Sequence, residues 1–270
     1  MSRRIVLILL ALVLVIAIGA ALSMEMFKLR AVVVDGCSAQ PASAVTTLSG
    51  LSLGESIFDV NFGNVKKAIE QNPYFEVEQV SLLFPDRIYI SVHERTPIAA
   101  ISYLGALILM DEQGQILDVR DVAGELNMPV VTGVMVTTFT VGEKVGSSQN
   151  GQVEAMGAVL GELKSQNAAF LISELNVSDI GELYLITTDG FKVRLGNQTD
   201  MQKKVQWLRT TLIELWSKGE RGGTINLMDT QSAVYAPENS VQPQGEDMPE
   251  DSAVPETQEG SPQPSDTPVP

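Results

Sequence analysis

Residues 5–22, IVLILLALVLVIAIGAAL, run for eighteen positions without a charge, directly after Arg3 and Arg4. As a helix rising ~1.5 Å per residue, such a run covers ~27 Å, close to the ~30 Å hydrocarbon core of a bilayer. The pattern predicts a membrane-spanning helix over 5–23 behind a four-residue tail, 1–4. A cleavable signal peptide is the competing reading. Its apolar run is usually about 7–15 residues and ends at a small-x-small site. This run is longer, and Gly19-Ala20-Ala21 is only a fair match to such a site. Arg3 and Arg4 place the N-terminus in the cytoplasm and the body outside.

Past the run, the period changes repeatedly. Residues 27–36, FKLRAVVVDG, read as a strand that is apolar on both faces beyond Arg30. Ser38 can cap and Pro41 suits a first helical turn, so a short helix follows to about Leu48. Segment 50–60 is turn-like. Asn61 can cap a helix over 62–71, where Phe62, Val65 and Ile69 fall at helical spacing, and Asn72-Pro73 ends it. Val80, Leu82 and Phe84 then alternate on one strand and Ile88, Ile90 and Val92 on the next, with Pro85-Asp86 as the turn. The order β-α-α-β-β predicts a three-stranded sheet with both helices on one face, since both helical stripes need one surface.

Residues 98–236 are richer in strands. Segments 106–110 and 115–119 flank Asp111-Glu-Gln-Gly114, and 182–196 carries Asp189-Gly190, the dipeptide a two-residue type I′ turn prefers. Helices are predicted at about 151–168 and about 200–217. The second has a stripe of Met201, Val205, Leu208, Leu212 and Leu215, with Gly219 as its stop. A last strand at about 224–228 continues towards 232–236. The shift near Pro97 marks a domain boundary. The fold class is therefore α+β: one N-terminal transmembrane helix, a β-α-α-β-β domain, a β-rich mixed domain with two helices, and a disordered tail.

That tail emerges from composition. Residues 237–270 hold eight Asp or Glu, no Lys or Arg, no aromatic residue, and eight of the thirteen prolines. Such a segment cannot bury enough apolar surface to offset ordering entropy. The net charge of −15 falls to −7 without it. Neither value suits a nucleic-acid partner, which needs clustered Lys and Arg. A single cysteine excludes an intramolecular disulfide.

Candidate chemistry is sparse. His93 is the one histidine and lies out of phase with Ile88, Ile90 and Val92, so a solvated position is expected. A Cys37–His93 dyad is the sharpest enzymatic reading. Against it, Asp35 stands beside Cys37 without an adjacent Lys or Arg, and negative charge raises a thiol pKa. No zinc-spaced His/Cys cluster, phosphate loop or dinucleotide fingerprint occurs, so no catalytic, metal or cofactor residue is assigned. Gly157 and Gly161 form a GxxxG in a helix of the body, where close packing is its expected role. A tether, an α/β domain and a β-rich domain without chemistry read as a docking protein. Confinement near the bilayer raises the effective concentration of weak contacts.

FKLRAVVVDG, GESIFDV, NPYFEVEQVSLLFPDRIYISVHERTPIA, LMDEQGQIL, MPVVTG, TTDGFKVRLG and GGTINL, in this order, resemble the FtsQ/DivIB bacterial cell-division proteins. The junction Glu94-Arg95-Thr96-Pro97-Ile98-Ala99 is similar to the E-R-x-P-x-A with which the family leaves its first domain. The resemblance implies a POTRA domain at 27–96 and a β domain at 97–236. It implies a non-enzymatic scaffold at the division septum, single-pass with its body outside the membrane. Such a scaffold binds partners of the FtsB/DivIC and FtsL type, without small-molecule substrate or cofactor, and helps control septal peptidoglycan synthesis. In the family a partner adds to the sheet edge at the C-terminal end, here residues 222–235. A terminal edge strand exposes unpaired N–H and C=O groups that a partner strand can complete. The expected contact residues are Ile225, Leu227, Val234 and Tyr235, with an ordinary core role as the competing reading. Asn226 replaces the family's usual Asp, and Met228-Asp229 stand where a basic-aromatic pair is frequent. The alternative is a POTRA-bearing module for secretion or envelope assembly, though about 140 residues of mixed helix and strand do not make the barrel that usually follows.

Overall fold

A computed structural model describes residues 3–121 and 126–238. Met1 and Ser2 of the predicted cytoplasmic tail, and the predicted disordered segment from 239 onward, lie outside these residues. Helix α1 covers Arg3–Met26. Among the described residues no helix is long and apolar enough to cross a membrane. Side chains 5, 7 and 17–23 of the predicted 5–23 span lie outside the described ones.

The first sheet is built from β1 (Ala31–Asp35), β2 (Phe75–Leu83) and β3 (Arg87–Glu94) in the order β1-β3-β2. Its two helices are α2 (Ala42–Leu48) and α3 (Phe62–Ile69). β1 runs parallel to β3 and β2 runs antiparallel to it, as a β-α-α-β-β chain requires when the helices cross one face. Val45, Val65, Ile69, Phe75, Val77, Ile88, Ile90 and Val92 meet in one core. Asn61 caps α3 as expected, its Oδ1 accepting from the Asn64 N–H at 3.1 Å.

The expected cap at Ser38 is corrected. Pro41 occupies the N-cap position of α2 and makes no side-chain cap. The Ser38 hydroxyl and N–H instead donate to Glu94 Oε2 at 3.1 and 2.6 Å, and the Ala39 and Gln40 amides donate to the same carboxylate at 2.8 and 3.0 Å. Three successive backbone N–H groups turned towards one point form a concave anion site. A carboxylate from the end of β3 outcompetes a local hydroxyl for it, because charge-assisted hydrogen bonds are the stronger ones.

The second sheet has nine strands. They are β4 (Ala99–Tyr103), β5 (Ala106–Met110), β6 (Ile116–Asp121), β7 (Val130–Thr132), β10 (Ile172–Asn176), β11 (Leu183–Thr187), β12 (Phe191–Gly196), β13 (Gly223–Asn226) and β14 (Val234–Ala236). Their order is β14-β13-β12-β11-β10-β7-β4-β5-β6. A separate ribbon pairs β8 (Val136–Thr138) with β9 (Gly146–Ser147). Helices α4 (Gln152–Ser165) and α5 (Met201–Ser217) share a core with the sheet. All five residues of the predicted α5 stripe are buried. The helix stops as expected: Gly219 takes φ +78°, its N–H donates to Trp216 and that of Glu220 to Leu215. Of the GxxxG pair in α4, Gly157 meets the Glu112 backbone closely, whereas Gly161 faces open space.

Register explains how so wide a sheet keeps one continuous core row. Tyr235, Ile225, Val193, Leu185, Leu175, Val131, Ile101, Ile108 and Val119 are paired strand to strand across all nine strands. The neighbouring row reads Val234, Asn226, Arg194, Tyr184, Asn176 and Thr132, and none of these is buried. Because side chains alternate with period two, these rows are the core face and, from β14 to β7, the open face. At β4 and β5 the second face is covered as well, where Ala100, Leu107 and Leu109 are buried with Leu126 and Met128 packed on them. Buried Gln152 fastens the α4 start: its Nε2 donates to the Gly133 and Val177 carbonyls, and its Oε1 accepts from Met135 N and Ser147 Oγ.

The two sheets meet at the Glu94-Arg95 junction. The Arg95 backbone N–H donates to the Tyr74 carbonyl at 2.8 Å. Its guanidinium donates to Glu76 Oε2 on β2 at 2.8 Å and to Asp111 Oδ2 at the end of β5. Asp111 is 1% exposed, and its other oxygen accepts from the Gln113 and Gln115 amides. One cation thus spans both sheets while its buried partner caps a hairpin.

Burial pushes the Glu94 carboxyl up, but the hydrogen bonds from Ser38, Ala39 and Gln40 outweigh it and hold the group below the usual carboxylate range. A depressed folded-state value means that this stabilisation is present above the unfolded value, about 4.3, and is lost as pH falls through the folded value. Glu94→Gln is expected to cost about 2 kcal/mol at pH 7, typical for removing charge-assisted hydrogen bonds from a buried acceptor. Urea denaturation of the wild type and the variant between pH 7 and pH 3 checks this: the difference should shrink once pH drops below about 4. A pH-independent difference would remove the electrostatic account.

Candidate docking edge

The nine-stranded sheet ends at β6 on one side and β14 on the other. The two edges differ in chemistry. β6 carries Asp118, Arg120 and Asp121, with Arg120 Nε 2.6 Å from Asp118 Oδ2. Charge along an edge is a common device against unwanted pairing. β14 is Val234-Tyr235-Ala236, with no charge at all.

Several elements hold β14 in place. α5 returns the chain so that β13 lies parallel to β12, and a seven-residue connection turns β14 antiparallel onto β13. In that connection the Asn226 side chain accepts from Met228 N at 3.0 Å, and the Trp207 indole donates to the Thr230 carbonyl at 3.2 Å. Gly223 is required by close approach. Its φ is +102°, and a Cβ there would lie 2.7 Å from the Ala236 carbonyl oxygen and 2.9 Å from the Tyr235 ring.

Strand alternation decides which groups of β14 are free. Leu227 N–H donates to the Arg194 carbonyl on β12 at 2.8 Å. Peptide groups of Ile225 therefore face β12, and those of Thr224 and Asn226 face β14. Their partners are Ala236 and Val234, so the backbone N–H and C=O of Tyr235 point away from β13.

The four predicted contact residues separate into two groups. Ile225 and Leu227 are 0% and 1% exposed and lie in the core. Val234 is 59% exposed. Tyr235 is half-buried: its ring meets Phe191 edge-on at 6.1 Å, and its hydroxyl donates to Glu220 Oε2 at 3.1 Å and the Gly222 carbonyl at 3.2 Å. Burial, then Glu220, push the Tyr235 phenol pKa up. Tyr235 thus ends the core row on its side-chain face while presenting an outward peptide group. Sequence reasoning missed the support from Glu220, Trp207 and Gly223. For Gly223 a signal existed in the Gly222-Gly223 pair.

The catalytic alternative finds little support in geometry. Cys37 is half-buried, and burial, then Glu94 and Asp35, push its thiol pKa up. A raised pKa disfavours the reactive thiolate. His93 is exposed, and among the described residues no hydrogen bond joins it to Cys37. Among the described residues no group of His, Cys, Asp and Glu could hold a metal ion.

The family model "POTRA domain, FtsQ-type" matches residues 27–95, the first sheet with its helices. The model "Cell division protein FtsQ/DivIB, C-terminal" matches residues 102–232. The chain belongs to the FtsQ/DivIB family. FtsQ of Myxococcus fulvus is 27% identical over 201 residues, covering 74% of this chain and 69% of that one. DivIB of Clostridium tetani is 22% identical over 202 residues, covering 74% and 76%. A solved structure, the major extracytoplasmic domain of DivIB from Geobacillus stearothermophilus, is 16% identical with a TM-score of 0.31, covering 46% of this chain and 96% of that one. The FtsQ/DivIB C-terminal match includes β13 and stops just before β14.

Gly223→Ala is expected to strain the backbone by about 1–3 kcal/mol. Hydrogen–deuterium exchange should then show faster exchange at 224–236 and unchanged protection in α5. Equal loosening of α5 would mean that β14 is integral to the core rather than a strand laid on its rim.

Proposed function

We propose that this chain is a non-enzymatic scaffold of the bacterial division complex, tethered by α1 and docking a partner strand at β14. The observation that carries the reading is the outward peptide group of Tyr235 on an uncharged terminal strand. An added strand satisfies that N–H and C=O and extends the ladder. It also prolongs the core row, so an apolar side chain opposite Tyr235 fits the dry face. Val234 offers contact on the other face.

The tether follows from the same physics as at the sequence level. α1 has 24 residues, ~36 Å at helical rise, and contains the eighteen-residue uncharged run. With Arg3 and Arg4 inside, the body lies outside the cell membrane. Confinement of body and partner to one surface makes docking at a three-residue edge sufficient. The partners that suit this geometry are bitopic division proteins of the FtsB/DivIC and FtsL type, and septal peptidoglycan synthesis is the process they would jointly control. The body uses neither small-molecule substrate nor cofactor. The alternative module for secretion or envelope assembly has no specific observation in its favour.

Val234→Lys leaves the core untouched and should not move Tm, yet it should weaken binding of a DivIC/FtsL-type ectodomain about tenfold, or about 1.4 kcal/mol. Tyr235→Pro removes the outward N–H and should abolish binding, whereas Tyr235→Phe should retain most of it. Titration by calorimetry or biolayer interferometry checks all three. Wild-type affinity in both Val234→Lys and Tyr235→Pro would end the edge-docking proposal.

A further inference from the structure

Three phenylalanines form an exposed cluster where the body leaves α1. Phe27 and Phe58 have ring centroids 5.2 Å apart, Phe27 and Phe84 6.3 Å, and Phe58 and Phe84 6.2 Å. Phe58 and Phe84 are each 59% exposed. Met26 and Leu83, their sequence neighbours on either side, are exposed as well. Large rings are ordinarily the first groups a soluble surface hides. None of the edge chemistry above involves them.

The backbone fixes this cluster rigidly. Segment 27–30 is held between two loops: Ile57 N donates to Phe27 O at 3.0 Å, Leu29 N to Glu55 O at 2.7 Å, Gly54 N to Leu29 O at 2.7 Å, and Arg30 N to Asp86 O at 2.8 Å. Phe27 is partly buried against the first core and roots the cluster there. The rings are therefore a built surface, brought together from three separate stretches of chain.

We propose that this aromatic cluster is a lipid contact: Phe27, Phe58 and Phe84 sit in the bilayer interface and fix how the first domain stands on the membrane. The proposal rests on reading α1 as the anchor. The occupant follows from chain continuity. If residues 5–22 span the hydrocarbon, Phe27 lies five residues beyond, about 7.5 Å at helical rise. The polar interfacial layer is about 5–7 Å deep on each side. The cluster is thus at headgroup level, the depth at which interfacial segments bury apolar side chains, Phe among them. Charge supports insertion rather than electrostatic adsorption. Lys28 pairs with Glu25, and Arg30 and Arg87 lie 3.7 and 3.9 Å from Asp86, so the rim offers little net charge to anionic lipid.

The test uses the full chain reconstituted in vesicles of phosphatidylethanolamine and phosphatidylglycerol at about 3:1, with or without acyl-chain bromination. Phe58→Trp is the probe, and Phe170→Trp, exposed on the other domain, is the control. The fluorescence added by the Phe58→Trp tryptophan should fall about two-fold or more in brominated vesicles, as expected for an indole at the interface. The Phe170→Trp signal should not change. Quenching should persist in roughly 0.5 M salt, since the contact is not ionic. Vesicle flotation after an alkaline wash reads the anchor separately. A chain that floats with an unquenched Phe58→Trp signal overturns the lipid contact and leaves the anchor standing. A chain that does not float overturns both. Equal quenching at both positions would reduce the effect to general nearness to the membrane and overturn the specific contact. Matching Tm values for probe and wild type exclude a folding artefact.

Discussion

Arg95 faces two carboxylates that belong to different sheets, and its side chain is only 13% exposed. A buried cation costs several kcal/mol in lost hydration, and only good geometry on both sides returns it. Here Glu76 supplies one side from β2 and Asp111 the other from the end of β5. The residue before it, Glu94, closes the loop ahead of α2 from the opposite direction. Two adjacent side chains of opposite charge therefore close the first domain and join it to the second. Everything distal to the junction, β14 included, is positioned relative to the first domain through this pair. A flexible linker would leave that geometry free; a short segment with a buried ion pair fixes it.

From this junction the second sheet extends in one direction towards β14. Rows of paired residues transmit strand placement across it, since a slip of one residue would turn a dry row to the open face. Tyr235 ends the core row, and its position depends on every register between β4 and β13. The edge is made firm by Gly223, which lets β14 approach, and by the hydrogen bonds of Tyr235 to Glu220 and Gly222. A firm edge is preorganised, which is what the proposed strand addition would require of its template.

Much of this was legible in the sequence, for identifiable reasons. The α5 stripe and the Asn61 cap depend on residues a few positions apart, and local physics decides them. Strands β4, β7 and β10 were not resolved as elements. They are three to five residues long, and runs that short carry no distinctive period. The Ser38 cap failed because Glu94, fifty-six positions away, competes for the same loop. The candidate edge was legible as a segment but not as a set of side chains. Ile225 and Leu227 share a period-two face, which indicates pairing and not which face is dry. Only the register with β12 turns those two inward, exposes Val234, and divides Tyr235 between an inward ring and an outward peptide group.

That division matters for how specificity could evolve in such a scaffold. A peptide group is the same in every sequence, so in the proposed docking the outward N–H and C=O of Tyr235 would supply affinity without selecting a partner. Selection would then come from side chains on the two faces of the added strand. On the dry face Tyr235 is constrained by Phe191 and Glu220, and changing it perturbs the fold. On the open face Val234 is exposed and free of the core, and substitution there costs little stability.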